Sequence, residues 1–146
     1  MQVSEGKINR VFVLRLEDGE QLTDCVEQLA RDREIGSALV LLVGGARDGA
    51  LVVGPEHTTL SKPEPMIEKF SEAREILGVG TIFASDEGPK LHLHASCGRG
   101  TETLTGCTRL GVHAFLVAEI VILEITGLKA SRKPDAISGF NLLNLE

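Results

Sequence analysis

The chain has no tryptophan, no tyrosine and only five phenylalanines in 146 residues, so it offers few side chains on which a nucleic-acid base could stack. Its formal charge of −6 also removes the broad basic footprint that phosphate-driven binding needs. Local cations remain at Lys129-Ala130-Ser131-Arg132-Lys133 and at Arg99, and both read as solvated surface. Gly98-Arg99-Gly100 reads as a turn, lacking the Lys-Ser/Thr pair of a P-loop and the third glycine of a dinucleotide fingerprint. No long apolar run is present. The longest, residues 112–125, is broken by His113, Glu119 and Glu124 and falls short of the roughly 20 residues of a membrane span. Cysteine is scarce and odd in number, three in all, and the polar start Met-Gln-Val-Ser-Glu-Gly-Lys carries no secretory apolar segment. These features predict a reducing, cytoplasmic setting rather than a disulfide scaffold.

What is present is an ordinary globular composition, 42% hydrophobic and 25% charged, which argues against global disorder. A single domain over residues 1–146 is expected, long enough to bury about 68–70% of the surface of its unfolded form. Residues 8–16 predict a strand ended by Glu17-Asp18-Gly19, followed by a helix with Leu22, Val26 and Leu29 on one face and Gly36 as its left-handed stop. Residues 37–43 read as a strand covered on both faces. Ala46-Arg47-Asp48-Gly49 reads as a hairpin turn leading to a returning strand over residues 50–54. Residues 55–65 predict a loop, and 69–83 a bent strand or a pair of strands. Ser85-Asp86-Glu87-Gly88-Pro89 predicts a hairpin into residues 90–97, and residues 112–125 a long closing strand. Without regular strand–helix alternation, the expected fold is α+β: a strongly curved, mainly antiparallel sheet with one or two helices.

The chemistry concentrates at His92-Leu93-His94 and at Cys107, thirteen residues further on. Histidines at i and i+2 of a strand share a face, with Cα atoms about 6.6 Å apart, so both imidazoles can converge on one ion. Zinc accepts imidazole nitrogen and thiolate sulfur, and catalytic sites leave a fourth position open. His113 competes as third ligand, although on an apolar strand beside Phe115 and Val117 it also fits an ordinary, partly buried histidine. Cys25 and Cys97 fit small buried hydrophobes.

Gly45-Ala46-Arg47, Arg74-Glu75-Ile76-Leu77-Gly78-Val79-Gly80, His92-Leu93-His94-Ala95-Ser96, Gly106-Cys107, Gly111 and Ala118-Glu119-Ile120-Val121-Ile122 together resemble the plant- and prokaryote-conserved (PPC) domain, over nearly the full length. The PPC fold is itself similar to that of acetolactate decarboxylase. The resemblance implies a three-ligand metal site. The usual Gly-Gly-His motif lies four residues before a glycine and twelve before a glutamate; counting from Gly111 and Glu119 places Cys107 at that histidine, so the implied set is His92, His94 and Cys107. Zinc, or another divalent transition metal, suits these donors. The resemblance also places Arg47 near the cleft, where it reads equally as a surface arginine, and puts Glu75 in a family Glu-Ile-Leu motif, where it would either support a bound histidine or be the edge charge of a strand; it implies a homotrimer.

Three kinds of function follow. The first is a metal-binding PPC-like protein with a binding or regulatory role; family members are described as DNA-binding, yet this chain has no Arg-Gly-Arg-Pro hook. The second is a metal-dependent enzyme on a small carbonyl substrate, a lyase of the acetolactate-decarboxylase kind, with Glu72, Glu75 and Glu102 as the nearby carboxylates in sequence. The third is an interaction module with a structural metal. A small-molecule ligand is compatible with the first two, and no membrane association is expected.

Overall fold

A computed structural model describes all residues, Met1–Glu146. The elements in chain order are β1 (Lys7–Glu17), α1 (Leu22–Asp32), β2 (Ser37–Pro55), β3 (Pro65–Phe70), β4 (Arg74–Ser85), β5 (Gly88–Arg99), β6 (Glu102–Cys107), β7 (Val112–Thr126), β8 (Ala130–Pro134) and β9 (Asn141–Leu145). Seven strands form one antiparallel sheet in the order β1-β7-β2-β4-β5-β6, with β3 on the far half of β2. The sheet curves far enough that β6 returns to β2, pairing Cys107 with Val52. With one helix and a curved antiparallel sheet, the architecture is the expected α+β class.

Strand alternation divides the sheet into two faces. The inner face carries Val40, Leu42, Ile82, Leu93, Ile120 and Ile122, each essentially inaccessible to solvent. Burying each such side chain contributes about 1.5–3 kcal/mol. Helix α1 covers this face with Leu22, Val26 and Ala30, spaced i, i+4, i+8 along one stripe. Its first turn is capped by the Gln21 side chain, whose Oε1 accepts from the Asp24 amide at 2.9 Å. Its end differs from expectation: Glu34, not Gly36, takes the left-handed conformation at φ 53°. The Ile35 amide then donates to Ala30 at 2.8 Å and the Glu34 amide to Arg31 at 3.1 Å, a Schellman closure. Burial of Ile35 against Ala30 sets the stop, outweighing the glycine signal.

The predicted turn at 46–49 is also corrected, because β2 runs through it as one strand of 19 residues. The turn-type residues serve a bend instead. Pairing with β7 shifts register between Gly44 and Ala46 and again between Ala46 and Asp48. A Cβ on Gly44, whose φ is +145°, would sit 2.5 Å from the Val117 carbonyl oxygen, so only glycine permits this approach. Asp18 braces the bend, accepting from the Leu116 amide at 3.0 Å and pairing with Arg47.

On the outer face the register aligns Val13, Val121, Leu41, Val79 and His94 in one row across five strands, and Val11, Leu123, Leu39, Thr81 and His92 in the next. Val11, Val13, Leu41, Val43, Leu77 and Val79 are exposed there. The β8–β9 hairpin, absent from the sequence expectation, covers the neighbouring part of this face: Arg132 lies over the Phe83 ring, 5.9 Å from its centroid.

Candidate metal centre

Leu93 fixes the arrangement. Its side chain is buried in the inner core, so both flanking histidines of β5 project from the outer face. Across the ladder, Thr81 opposes His92, Val79 opposes His94, and Cys107 at the end of β6 opposes His94. A direct cross-strand partner brings Cβ atoms to about 4.5–5.5 Å, within reach of a shared ion. One nitrogen of each imidazole and the Cys107 sulfur all lie within 4.8 Å of one another. The two Nε2 atoms stand 3.1 Å apart, with the rings inclined at 78°. Cys107 is buried, and both histidines keep an exposed edge.

Thr108 holds the sulfur in place, although the sequence reading gave it no role. Its amide donates to the Leu93 carbonyl at 3.0 Å and its hydroxyl donates to the same oxygen at 3.3 Å, tying the residue after Cys107 to the residue between the histidines. Gly106 allows β6 to lie against β2, since a Cβ there would collide with the Val52 carbonyl.

The three donors open onto a cavity of about 1020 Å³ walled by the outer face of β4–β6, the end of β2 and the C-terminal hairpin. Arg109 and Arg132 line it beside His92, His94 and Cys107. Residues 129–133 were expected to be solvated, and for Arg132 that is corrected: its guanidinium is packed under the hairpin, and burial lowers its pKa from the ordinary arginine value. Nothing in the sequence distinguishes Arg132 from its neighbours Lys129 and Lys133, because its burial depends on a hairpin packing over a distant strand. Burial also lowers the pKa of His92, with Arg132, His94 and Arg109 adding repulsion, so its imidazole favours the neutral form.

The other candidates lie elsewhere. His113 is not grouped with the two histidines; its Nδ1 is 2.7 Å from Asp48 Oδ1, across the β2–β7 pair. Arg47 pairs with Asp18, and Glu75 opposes Gly98, four residues beyond His94; neither lines the cavity. Glu72 pairs with Arg99, and Glu102 lies 4.0 Å from Arg74, also outside the cavity. Cys97 is fully buried with its thiol pKa pushed up to about 11, and Cys25 is half-buried on α1.

The sequence matches the Plants and Prokaryotes Conserved (PCC) domain over residues 3–126, a span that ends before the β8–β9 hairpin. Among solved structures, a metal-containing protein from Archaeoglobus fulgidus has a TM-score of 0.85 at 24% identity, covering 99% of both chains. A plant- and prokaryote-conserved (PPC) protein from Pyrococcus horikoshii has a TM-score of 0.82 at 22% identity, covering 99% of this chain and all of its own. A Bacteroides thetaiotaomicron protein provisionally described as DNA-binding has a TM-score of 0.79 at 20% identity, over 99% of this chain and 98% of its own. The bifunctional protein GlmU of two Synechococcus strains is 29% and 31% identical over 137 residues, 94% of this chain. This chain spans about a fifth of the length of those curated relatives, 20% and 21%. No helix is long and apolar enough to cross a membrane.

Proposed function

This chain belongs to the Plants and Prokaryotes Conserved (PCC) domain family, and from that premise we propose that it binds one divalent transition metal, zinc by preference, through His92, His94 and Cys107. The observation that carries the reading is the convergence of two imidazole nitrogens and one sulfur on the wall of a cavity. The donors fit the ion. Zn–N bonds of about 2.0–2.1 Å at a tetrahedral angle put the two nitrogens about 3.3 Å apart, close to the 3.1 Å between the Nε2 atoms. Favouring the neutral form of His92 also leaves its lone pair available for ligation. The relative from Archaeoglobus fulgidus, described as metal-containing, supports the same reading. A bound zinc with three protein ligands supplies a Lewis-acid position for a fourth ligand.

Binding is favoured over turnover. The three carboxylates suggested as acid or base lie outside the cavity, and the carboxylate that lines it, Glu64, belongs to the segment before β3. Duplex DNA is a weaker partner for a chain of charge −6 with no tryptophan or tyrosine, despite the description given to the Bacteroides relative. Self-association has better support: apolar side chains lie exposed on neighbouring strands of the outer face, a contiguous arrangement unlike scattered surface hydrophobics. Three copies packed through this face form the assembly that the family resemblance implies.

Elemental analysis tests the metal site. About one zinc per chain in the native protein and none in His94→Ala supports it; no metal in either, after reconstitution under reducing conditions, overturns it.

A further inference from the structure

Arg132 is a half-buried cation whose acidic neighbour is the Cys107 sulfur, an attraction only while that sulfur is a thiolate. Its Nη2 reaches Thr81 Oγ1 only at 3.5 Å, its Nη1 reaches the Asn141 carbonyl at 3.3 Å, and its buried Nε has no acceptor. It forms no salt bridge, and neither does Arg109, whose guanidinium lies 5.2 Å from the centroid of the Phe140 ring. Both line the cavity that holds the three metal donors. The remaining lining cation, Lys90, already pairs with Glu27 and Glu87, and the lining carboxylate, Glu64, pairs with neither arginine. An unpaired donor on a buried cation is costly, and native proteins provide an acceptor for nearly all such groups. Here Nε has none, and the cavity wall carries two guanidiniums that no carboxylate neutralises.

We propose that the cavity binds a small organic carboxylate, held by Arg132 and Arg109 while a second oxygen of the same molecule faces the metal position. The inference rests on the metal reading for that second contact only. The chemistry favours a carboxylate because two guanidiniums without a salt bridge line the same cavity, and the planar edge of a guanidinium matches two coplanar oxygens. Phe83 and Phe140, each beneath a guanidinium, give an apolar wall suited to a short carbon chain. The cavity is large for an inorganic ion and suits a molecule of several carbon atoms. A 2-hydroxy acid presents the needed pattern, with one carboxylate for the arginines and an adjacent hydroxyl for the ion. Arg132 and Phe140 stand on or beside the β8–β9 hairpin, beyond the residues matched to the family, and Arg109 lies within them, so both segments shape the ligand site.

Isothermal titration of the zinc-reconstituted protein with lactate tests the site, with inorganic phosphate as the comparison and zinc content measured for every variant. The expected result is saturable lactate binding, weakened about tenfold or more in Arg132→Gln and in Arg109→Gln at unchanged zinc content, with partial recovery in Arg132→Lys. Phosphate is expected to bind more weakly than lactate. Equal lactate affinity in the native protein and both glutamine variants overturns the proposal, and so does zinc uptake without any lactate binding. Arginine-dependent lactate binding in a protein that takes up no zinc supports the arginine site and overturns the metal reading alone.

Discussion

Replacing Gly106 with alanine puts a methyl group against the β2 backbone at the point where the sheet closes. The added Cβ would overlap the Val52 carbonyl oxygen and lie 2.9 Å from the Val52 carbonyl carbon and 3.2 Å from the Val53 Cα. These are backbone atoms, which cannot swing aside as a flexible side chain does, so β6 must move away from β2 and carry Cys107 with it. Overpacking of this kind costs about 1–3 kcal/mol. With an unfolding entropy of about 2.1 cal/mol/K per residue, a chain of this length loses roughly 6–7 °C in Tm for about 2 kcal/mol. Displacing the residue next to a ligand should also weaken zinc binding by about 10–100-fold, the usual scale for disturbing a ligand's support. Scanning calorimetry at fixed protein concentration, with and without zinc, reads the first effect; competition with a chromophoric chelator reads the second. Gly98→Ala is the control, since its Cβ would meet nothing nearer than Thr103 Oγ1 at 3.7 Å. If Gly106→Ala matches Gly98→Ala in both assays, closure at Val52 does not position the sulfur and the reasoning fails.

Among the donors, Cys107→Ser should weaken zinc binding strongly and His113→Ala should change it little. Loss of affinity in His113→Ala with retention in Cys107→Ser would refute the ligand set. Arg10 and Asn9 hold the Glu124 carboxyl at about 2, well below its ordinary value. Since the native state then binds fewer protons than the unfolded chain, this contribution is present above the ordinary carboxylate range and is lost as pH falls towards 2. In Glu124→Gln the urea midpoint should therefore be lower at pH 7 and fall less steeply between about pH 5 and pH 2; an unchanged slope would refute the assignment. Val79→Asp, at an exposed position in the centre of the outer apolar face, should shift sedimentation towards the monomer while leaving the far-ultraviolet spectrum unchanged. An unaltered assembly would show that this face is not the contact.

The sequence was most legible where periodicity and chemistry coincided. Helix α1, the β4–β5 hairpin and the long β7 follow from apolar spacing bounded by turn residues. His92 and His94 share a face because a two-residue spacing in a strand permits nothing else. The 44–49 segment misled because glycine, aspartate and arginine describe a turn equally well as a bulged bend; only the packing of β7 against Gly44 distinguishes them. Strand β6 was missed because its threonines and glycine give a weak pattern, and its pairing partners are distant or reached through a turn. The cavity arginines were illegible for a related reason. Arg132 acquires its surroundings from β4, about fifty residues earlier in the chain, and Thr108 acquires its role only once its amide meets the Leu93 carbonyl.

The alternation of Leu93 between His92 and His94 makes zinc uptake a report on strand pairing. A slip of one residue exchanges the two faces of a strand, so β5 shifted by one position would bury both imidazoles and expose Leu93. Cys107 faces His94 only when β5 and β6 are in register and β6 has also closed on β2. An ion held by all three donors would therefore stabilise the correctly paired sheet and none of its slipped alternatives. In that capacity the metal would serve as a proofreader of assembly, adding to the energy gap between the native pairing and its near misses before any ligand enters the cavity.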